Sequence, residues 1–142
     1  MAESSQTFFT TLYADSDNDP PGSSAIAYPK NGGFPTVHSA TGGTGTYADP
    51  ITVAVDIRDF PAGTRFYSTN WKAYGIAEDE CAASIQDHNN NVSPKRIDWW
   101  AGGKGQSYNT MAAYESDLTQ TQTIIVNPDP GKPVIEIGRA HV

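Results

Sequence analysis

Three aspartates, each placed after a short apolar run, are the residues of this chain best suited to chemistry. Asp56 follows the run ITVAV, and Asp79 and Asp98 follow similar runs. A strand that ends in a carboxylate directs the acid out of the edge of a core, and three such strands in a small domain can bring their acids to one rim. Carboxylates gathered at a rim are costly unless they bind a ligand or transfer protons. The three acids are therefore the first candidates for a functional site.

The chemistry that such a cluster suits is cleavage of a glycosidic bond. That reaction needs one acid to protonate the leaving oxygen, and a second carboxylate can act as base or nucleophile or raise the pKa of the first. An aspartate at a strand end also commonly caps a turn or accepts backbone N–H groups. Both interpretations, a catalytic role and a structural role, stay open at this point.

Aromatic side chains flank the proposed rim and are candidates for binding a sugar: Tyr47, Trp71, Trp99 and Trp100. Adjacent residues of a strand face opposite sides, so we expect one of Trp99 and Trp100 in the core and the other exposed or lining a groove. Two half-buried core aromatics would give the same pattern. His38 lies near a glycine-rich loop and could also reach the rim, although a surface histidine is the default interpretation.

The sequence does not predict a metal or another cofactor. Asp15, Asp17 and Asp19 alternate like the start of a calcium loop, but Pro20 and Ile26 occupy the positions where an EF-hand needs Gly and Glu. A cluster of Asx turns explains the alternation better. The histidines and the single cysteine do not have zinc-ligand spacing.

The composition limits the classes of partner. The 142 residues suit a single domain, and the net charge of -7 without a basic block makes a nucleic-acid partner unexpected. No apolar run approaches the ~20 residues that cross a bilayer, so no membrane association is expected, and the start of the chain shows no signal peptide. Cys81 is the single cysteine, so we expect a small buried hydrophobe rather than an internal disulfide.

The elements that must position these residues are short strands separated by turns. We predict strands at 6–13, 51–55, 65–68, 71–77, 96–100 and 122–126, a hairpin between the third and fourth, a helical turn at 80–85 and a helix at 109–118. The barrel domain then covers 1–127, and 128–142 form a proline-rich tail that could add a strand at 134–137. This pattern favours an all-β fold, a small closed barrel of six strands with one or two short helices.

The order of these motifs resembles the double-psi β-barrel, and more narrowly the three-aspartate domains of bacterial cell-wall proteins and of membrane-bound lytic transglycosylase A. The shared steps are Val55-Asp56, the turn Pro61-Ala62-Gly63-Thr64, Asp79, and Arg96-Ile97-Asp98. Rare lipoprotein A and the expansins share this barrel and the late aspartate. A closer resemblance is to small secreted, mainly fungal, barrel proteins with DNDPPGS and GGTGTYxDP motifs, here at 17–23 and 42–50.

The resemblance implies a secreted protein that acts on a cell-wall glycan such as peptidoglycan. It implies that Asp98 and Asp79 are the catalytic pair and that Asp56 orients them, with a lytic or a hydrolytic outcome. Because this barrel also hosts binders and inhibitors, it equally admits a non-catalytic expansin-like binder of polysaccharide or an inhibitor whose partner is a protease. A third possibility is an assembly role in which the tail reaches a neighbouring subunit.

Overall fold

A computed structural model describes residues 3–14, 22–101 and 120–134 of the chain. Within these ranges the backbone forms six strands, one α-helix and a single 3₁₀ turn at Lys30–Gly32. The elements are β1 (Ser4–Tyr13), β2 (Ile51–Val55), β3 (Arg65–Ser68), β4 (Ala73–Glu80), α1 (Ala82–Asn89), β5 (Lys95–Trp100) and β6 (Gln120–Val126).

The six strands close into a barrel in the order β1-β5-β2-β4-β3-β6. Two neighbouring pairs, β1/β5 and β2/β4, are parallel, and the other neighbours are antiparallel. Closure gives each of these six strands a hydrogen-bonded neighbour on both sides. The prediction of a mostly β fold with six strands in a closed barrel and a short helix is confirmed.

Alternation along the strands separates the interior of the barrel from its outer face. Val53 and Val55 of β2 and Trp99 of β5 are fully buried in the main core cluster, whereas Ala54 belongs to a second, smaller cluster. Because successive strand residues face opposite sides, Ala54 and its neighbours across the sheet face outward. Gly75 is required opposite this core, since a Cβ there would lie 2.6 Å from Val53 Cγ2 and 2.9 Å from the Trp99 ring.

The predicted elements agree with the structure in type and order where the two can be compared, but β4 continues to Glu80, beyond its predicted end at 77, and so contains Asp79. The third and fourth strands form an antiparallel hairpin, as expected, although the fourth begins at Ala73 and leaves Trp71 in the connecting turn. The helical turn predicted at 80–85 is a longer helix, α1, capped by Cys81, whose Sγ accepts from the Ser84 N–H at 3.3 Å. Cys81 is buried, as predicted, and burial raises the pKa of its thiol.

The first part of the tail lies against the barrel. Tyr67 and Tyr74 donate hydroxyl hydrogen bonds of 2.6 Å to the carbonyl oxygens of Pro133 and Asp129. The remaining predictions for the tail, including a strand at 134–137, extend beyond the described residues, as does the helix predicted at 109–118. In the described ranges, the helices are too short to cross a membrane.

Candidate functional site

The outer face of the barrel around Ala54 brings two of the three predicted acids onto neighbouring strands. Ala54 pairs with Asp79 of β4 on one side and with Asp98 of β5 on the other. Adjacent strands lie about 4.8 Å apart, so the two aspartate Cα atoms are separated by roughly 10 Å. The small Ala54 side chain lies between them. We call Ala54, Asp79 and Asp98, with Tyr13 and Trp100 beside them, the acidic patch.

Asp79 is held firmly in the acidic patch. Its Oδ1 accepts the backbone N–H groups of Ala27 at 3.0 Å and Glu80 at 2.9 Å, and its Oδ2 accepts the Tyr13 hydroxyl at 2.9 Å. The side chain is only 8% exposed, and this burial raises the pKa of Asp79 despite the three hydrogen bonds that oppose the shift. Desolvation therefore outweighs the donors, and Asp79 retains its proton to a higher pH than an ordinary aspartate.

Asp98 is the more exposed of the two acids. It is half-buried, and its Oδ1 accepts the hydroxyl of Thr11 at 2.8 Å. Thr11 and Tyr13 are two residues apart on β1, so they share the outer face of that strand. β1 therefore supplies one hydroxyl to each acid of the patch.

Asp56 has a different environment from the other two aspartates. It is 3% exposed, and its carboxylate accepts hydrogen bonds from the backbone N–H of Arg58 at 2.8 Å and from the Arg58 guanidinium. These contacts lower the pKa of Asp56 to about 2. Asp56 is thus ionised at neutral pH and cannot donate a proton there, and the group that it orients through these bonds is Arg58.

The four predicted aromatic residues lie in three different places. Trp71 and Trp99 pack edge to face inside the core, with ring centroids 5.4 Å apart and 7% and 0% exposure, so neither offers a ring face to solvent. Trp100 is half-buried on the outer face and packs against the cluster of Tyr13, Ala54 and Cys81. Of the two adjacent tryptophans, Trp99 is therefore the core residue and Trp100 belongs to the acidic patch.

Tyr47 lies in a cleft away from the acidic patch. The cleft has a volume of about 270 Å³, and none of the three aspartates lines it; its walls are Tyr47, Gly63, Arg65 and the segment 127–130. The Arg65 guanidinium lies 4.4 Å from the centre of the Tyr47 ring and donates to the Tyr47 carbonyl oxygen at 2.6 Å. The structure therefore does not bring Tyr47 together with Asp79 or Asp98.

His38 belongs to a second cluster, built around the buried Glu78, which is not among the predicted site residues. The His38 Nδ1 lies 2.8 Å from Glu78 Oε2, and its Nε2 lies 2.6 Å from Asp49 Oδ1. Both carboxylates raise the pKa of His38, with the hydrogen bond to Glu78 the largest cause and burial opposing it. The signal in the sequence is the pair of consecutive acids Glu78 and Asp79, since each carboxylate of such a pair needs partners of its own.

A β-bulge explains why Glu78 and Asp79 go to different partners. Val53 pairs with Ala77 and Ala54 with Asp79, so Glu78 is the extra residue of β4 at this point. A bulge breaks the strict alternation of side chains and re-aims one of them. Glu78 thereby reaches Thr52 and the segment at 37–38, while Asp79 remains in register beside Ala54.

A third group of ionisable side chains lies near the end of β2. One ligand-type atom each from Asp56, Asp59 and His88 lies within 4.8 Å of the others, which is compatible with a metal ion. Both acids already form ion pairs with basic side chains: Arg58 binds Asp56, and the Lys95 ammonium lies 2.9 Å from Asp59. This arrangement favours an internal ion-pair network. The alternating Asp15, Asp17 and Asp19 lie outside the described residues.

Comparison with known proteins identifies the family of the chain. Residues 5–137 match the DDB_G0273701 N-terminal domain family. The uncharacterized protein DDB_G0273701/DDB_G0273221 of Dictyostelium discoideum is 38% identical over 126 residues, which are 88% of this chain and 52% of that protein. The chain thus spans about half the length of this curated relative. No solved structure matches the chain. The chain is a member of the DDB_G0273701 N-terminal domain family.

Proposed function

We propose that the barrel is a secreted protein that acts on a cell-wall polysaccharide, with the acidic patch as its site. The observation that carries the proposal is the pairing of Ala54 with Asp79 on one side and Asp98 on the other. Two carboxyl groups on one outer face, with the half-buried Trp100 beside them, are the groups that glycosidic cleavage uses.

The two acids take different roles because their environments differ. Burial raises the pKa of Asp79, so Asp79 is the proton donor to the leaving oxygen, and its two backbone donors hold the carboxyl group in place. Asp98 is more exposed and acts as the second carboxylate, which stabilises the positive charge on the sugar or accepts a proton. Water or a hydroxyl of the sugar itself then bonds to the sugar carbon that the leaving oxygen has left, and the proton that it loses passes to Asp98 or returns to Asp79. Asp56, ionised beside Arg58, is not part of the proton transfer.

The proposal includes membership in the double-psi barrel superfamily, with the three-aspartate domains, rare lipoprotein A and the expansins. The support is the closed barrel of six strands with two parallel pairs, and the placement of Asp56, Asp79 and Asp98 at or near the ends of β2, β4 and β5. The substrate implied by this assignment is peptidoglycan or a related glycan outside the cell.

The test is incubation of the protein with purified peptidoglycan, cellulose and chitin, followed by mass analysis of the soluble products. Anhydro ends indicate lytic cleavage, and reducing ends indicate hydrolysis. We expect Asp98→Asn and Asp79→Asn to abolish product formation while the circular dichroism spectrum is unchanged. Asp87→Asn is the matched control, because Asp87 lies on α1 and forms an ion pair with Arg96, and it should retain activity. Full activity in Asp98→Asn would refute the catalytic assignment.

A second candidate is a non-catalytic barrel that binds polysaccharide or inhibits a protease. The observation that favours it is that Asp79 Oδ1 accepts two backbone N–H groups and thereby ties Ala27 to the barrel, which is a structural use of the carboxylate. Sedimentation with insoluble polysaccharide in the absence of soluble products, or inhibition of a protease panel, would favour this candidate over the enzyme.

A further inference from the structure

His38 bridges two carboxylates that lie on different parts of the chain. Its Nδ1 lies 2.8 Å from Glu78 on β4, and its Nε2 lies 2.6 Å from Asp49, in the turn that precedes β2. A neutral imidazole carries one N–H, whereas the imidazolium carries two. Because ionised carboxylates only accept hydrogen bonds, both contacts are satisfied together only when His38 is protonated.

The two ends of this bridge differ in their access to water. Glu78 is fully buried, with 0% side-chain exposure, whereas the Asp49 side chain is 44% exposed. Glu78 also accepts the backbone N–H groups of Val37 and His38 at 2.8 Å and the Thr52 hydroxyl at 2.7 Å. Leaving a buried carboxylate short of a donor is far more costly than exposing a carboxylate that water can reach.

Asp49 closes the turn 44–49 in addition to contacting His38. Its carbonyl oxygen accepts the N–H groups of Thr44 and Gly45 at 3.0 Å, and its own N–H donates to the Thr46 hydroxyl at 3.0 Å. Tyr47 is part of the same turn and forms one wall of the cleft beside Arg65. The state of Asp49 is therefore coupled, through a few covalent bonds, to the position of Tyr47.

We propose that His38 is a one-sided proton latch: its imidazolium fastens the turn 44–49 to the barrel through Asp49, and loss of one proton releases Asp49 while the bond to Glu78 is kept. The proton that remains stays on Nδ1, because Glu78 cannot be hydrated. The Nε2 lone pair then faces the Asp49 carboxylate, which turns away into solvent. The turn stays joined to the barrel by the Tyr74 N–H, which donates to the Gly45 carbonyl oxygen at 2.8 Å, and by Arg65, so loss of the Asp49 contact loosens the turn that carries Tyr47 without detaching it.

The direction of the pH dependence follows from the groups that act on His38. Among the described residues these are Glu78 from β4 and Asp49 from the turn, and Thr52 on β2 contributes a hydroxyl that does not titrate in this range. Both carboxylates raise the pKa of His38 above the ordinary value of about 6.5. The latch is therefore closed at acidic pH and opens as the pH rises through the pKa of His38 in the folded protein, which lies above the ordinary value.

The experiment is a pH titration of the full chain by nuclear magnetic resonance. The imidazole of His38 and the amides of Thr44, Gly45 and Asp49 are followed together, and amide exchange with water is corrected for its intrinsic pH dependence. We expect the turn amides to titrate with the midpoint of His38 and their protection to fall about tenfold, the equilibrium equivalent of one charge-assisted hydrogen bond. The Val37 amide, held by Glu78, should keep its protection.

Two variants separate this latch from a merely structural histidine. Asp49→Asn removes the charge at the releasing end, and we expect a lower pKa of His38 and turn amides that no longer titrate. His88→Gln is the matched control, since His88 contacts Asp59 at 2.7 Å elsewhere on the barrel, and it should leave the turn titration unchanged. Turn amides that do not follow His38 in the unaltered protein, or a Val37 amide that loses protection together with them, would overturn the proposal.

Discussion

Glu78 and Asp79 are consecutive residues of one strand, yet they form two clusters with different physical characters. Glu78 is fully buried and its carboxylate accepts four hydrogen bonds, two of them from the backbone N–H and the ring of His38. Asp79 is 8% exposed, accepts three hydrogen bonds and faces a second acid across Ala54. The bulge at Glu78 separates the two environments within a single peptide unit.

The surroundings of the two carboxylates indicate that Glu78 stabilises the fold and that Asp79 is available for chemistry. The Glu78 carboxyl group accepts two backbone N–H groups, the Thr52 hydroxyl and the His38 ring, so it fixes the loop at 37–38. In the described part of the chain, Asp79 has no basic side chain among its hydrogen-bond partners, and burial shifts its pKa upward, which is the direction that suits a carboxyl group for donating a proton. We therefore expect variants of Glu78 to lose mainly stability and variants of Asp79 to lose mainly activity.

The largest expected effect is the loss of stability in Glu78→Ala. This change removes the acceptor of four donors and leaves the His38 cation without its buried partner, which costs about 3–5 kcal/mol for a broken buried ion pair. The measurement is urea denaturation at pH 6. Asp79→Asn is the contrasting variant: an asparagine oxygen can still accept both backbone N–H groups, so its free energy of unfolding should change by less than about 1 kcal/mol. Equal losses of unfolding free energy in the two variants would show that Glu78 and Asp79 do not differ in their structural roles.

A smaller effect, and one that depends on pH, is expected for His38→Gln. The raised pKa of His38 means that its contribution to stability is fully present below pH 6.5 and is lost as the pH rises through the folded value. At pH 5.5 the variant should be about 2 kcal/mol less stable than the parent, and the gap should narrow at alkaline pH. Denaturation curves at a series of pH values measure it, and a gap that widens with pH would contradict the sign.

Tyr13→Phe probes the acidic patch with a smaller change. It removes the hydroxyl that lies 2.9 Å from Asp79 Oδ2, and the loss of one hydrogen bond to a carboxylate costs about 1–2 kcal/mol. Because that hydrogen bond lowers the pKa of Asp79, its removal should move the pKa further upward. Carbon-13 titration of the aspartate carboxyl groups measures the shift. A downward shift would mean that Tyr13 acts on the neutral acid instead.

The smallest effect on the activity of the acidic patch is expected for Arg58→Met. Asp56 should lose its guanidinium partner, and its pKa should rise from about 2 towards the ordinary value for an aspartate. Glycan cleavage should persist, since the Asp56 hydrogen bonds go to Arg58 and not to Asp79 or Asp98. The same carboxyl titration measures the shift. Loss of activity would show that Asp56 contributes to catalysis.

The barrel could be predicted from the sequence because its signals are local. Alternating runs such as 51–55 and 122–126, separated by Gly and Pro, specify short strands, and six such strands in a small domain favour closure. The pairing order could not be predicted, since parallel neighbours such as β2 and β4 are brought together by contacts far apart in sequence. The start of β4 at Ala73, which leaves Trp71 in the turn, and the full length of α1 were not predicted either, because tertiary packing sets those boundaries.

The candidate site was predicted in part. Asp79 and Asp98 do lie on one face, because both are paired with the same residue of β2. Tyr47 was expected to flank the same rim as these acids, but the turn that carries it lies beside Arg65 instead. The cluster of Glu78, His38 and Asp49 escaped prediction, since its members come from three segments and their meeting depends on one bulge.

The amino-acid order alone determined which residues are apolar, where the chain turns and which acids end its strands, because these properties depend on side-chain type and on neighbours within a few positions. The tertiary structure decided which acids share a face, which one has a histidine and which one is desolvated. Those outcomes depend on strand register and on access to water, and a displacement of one residue at β4 is enough to exchange the surroundings of two adjacent carboxylates.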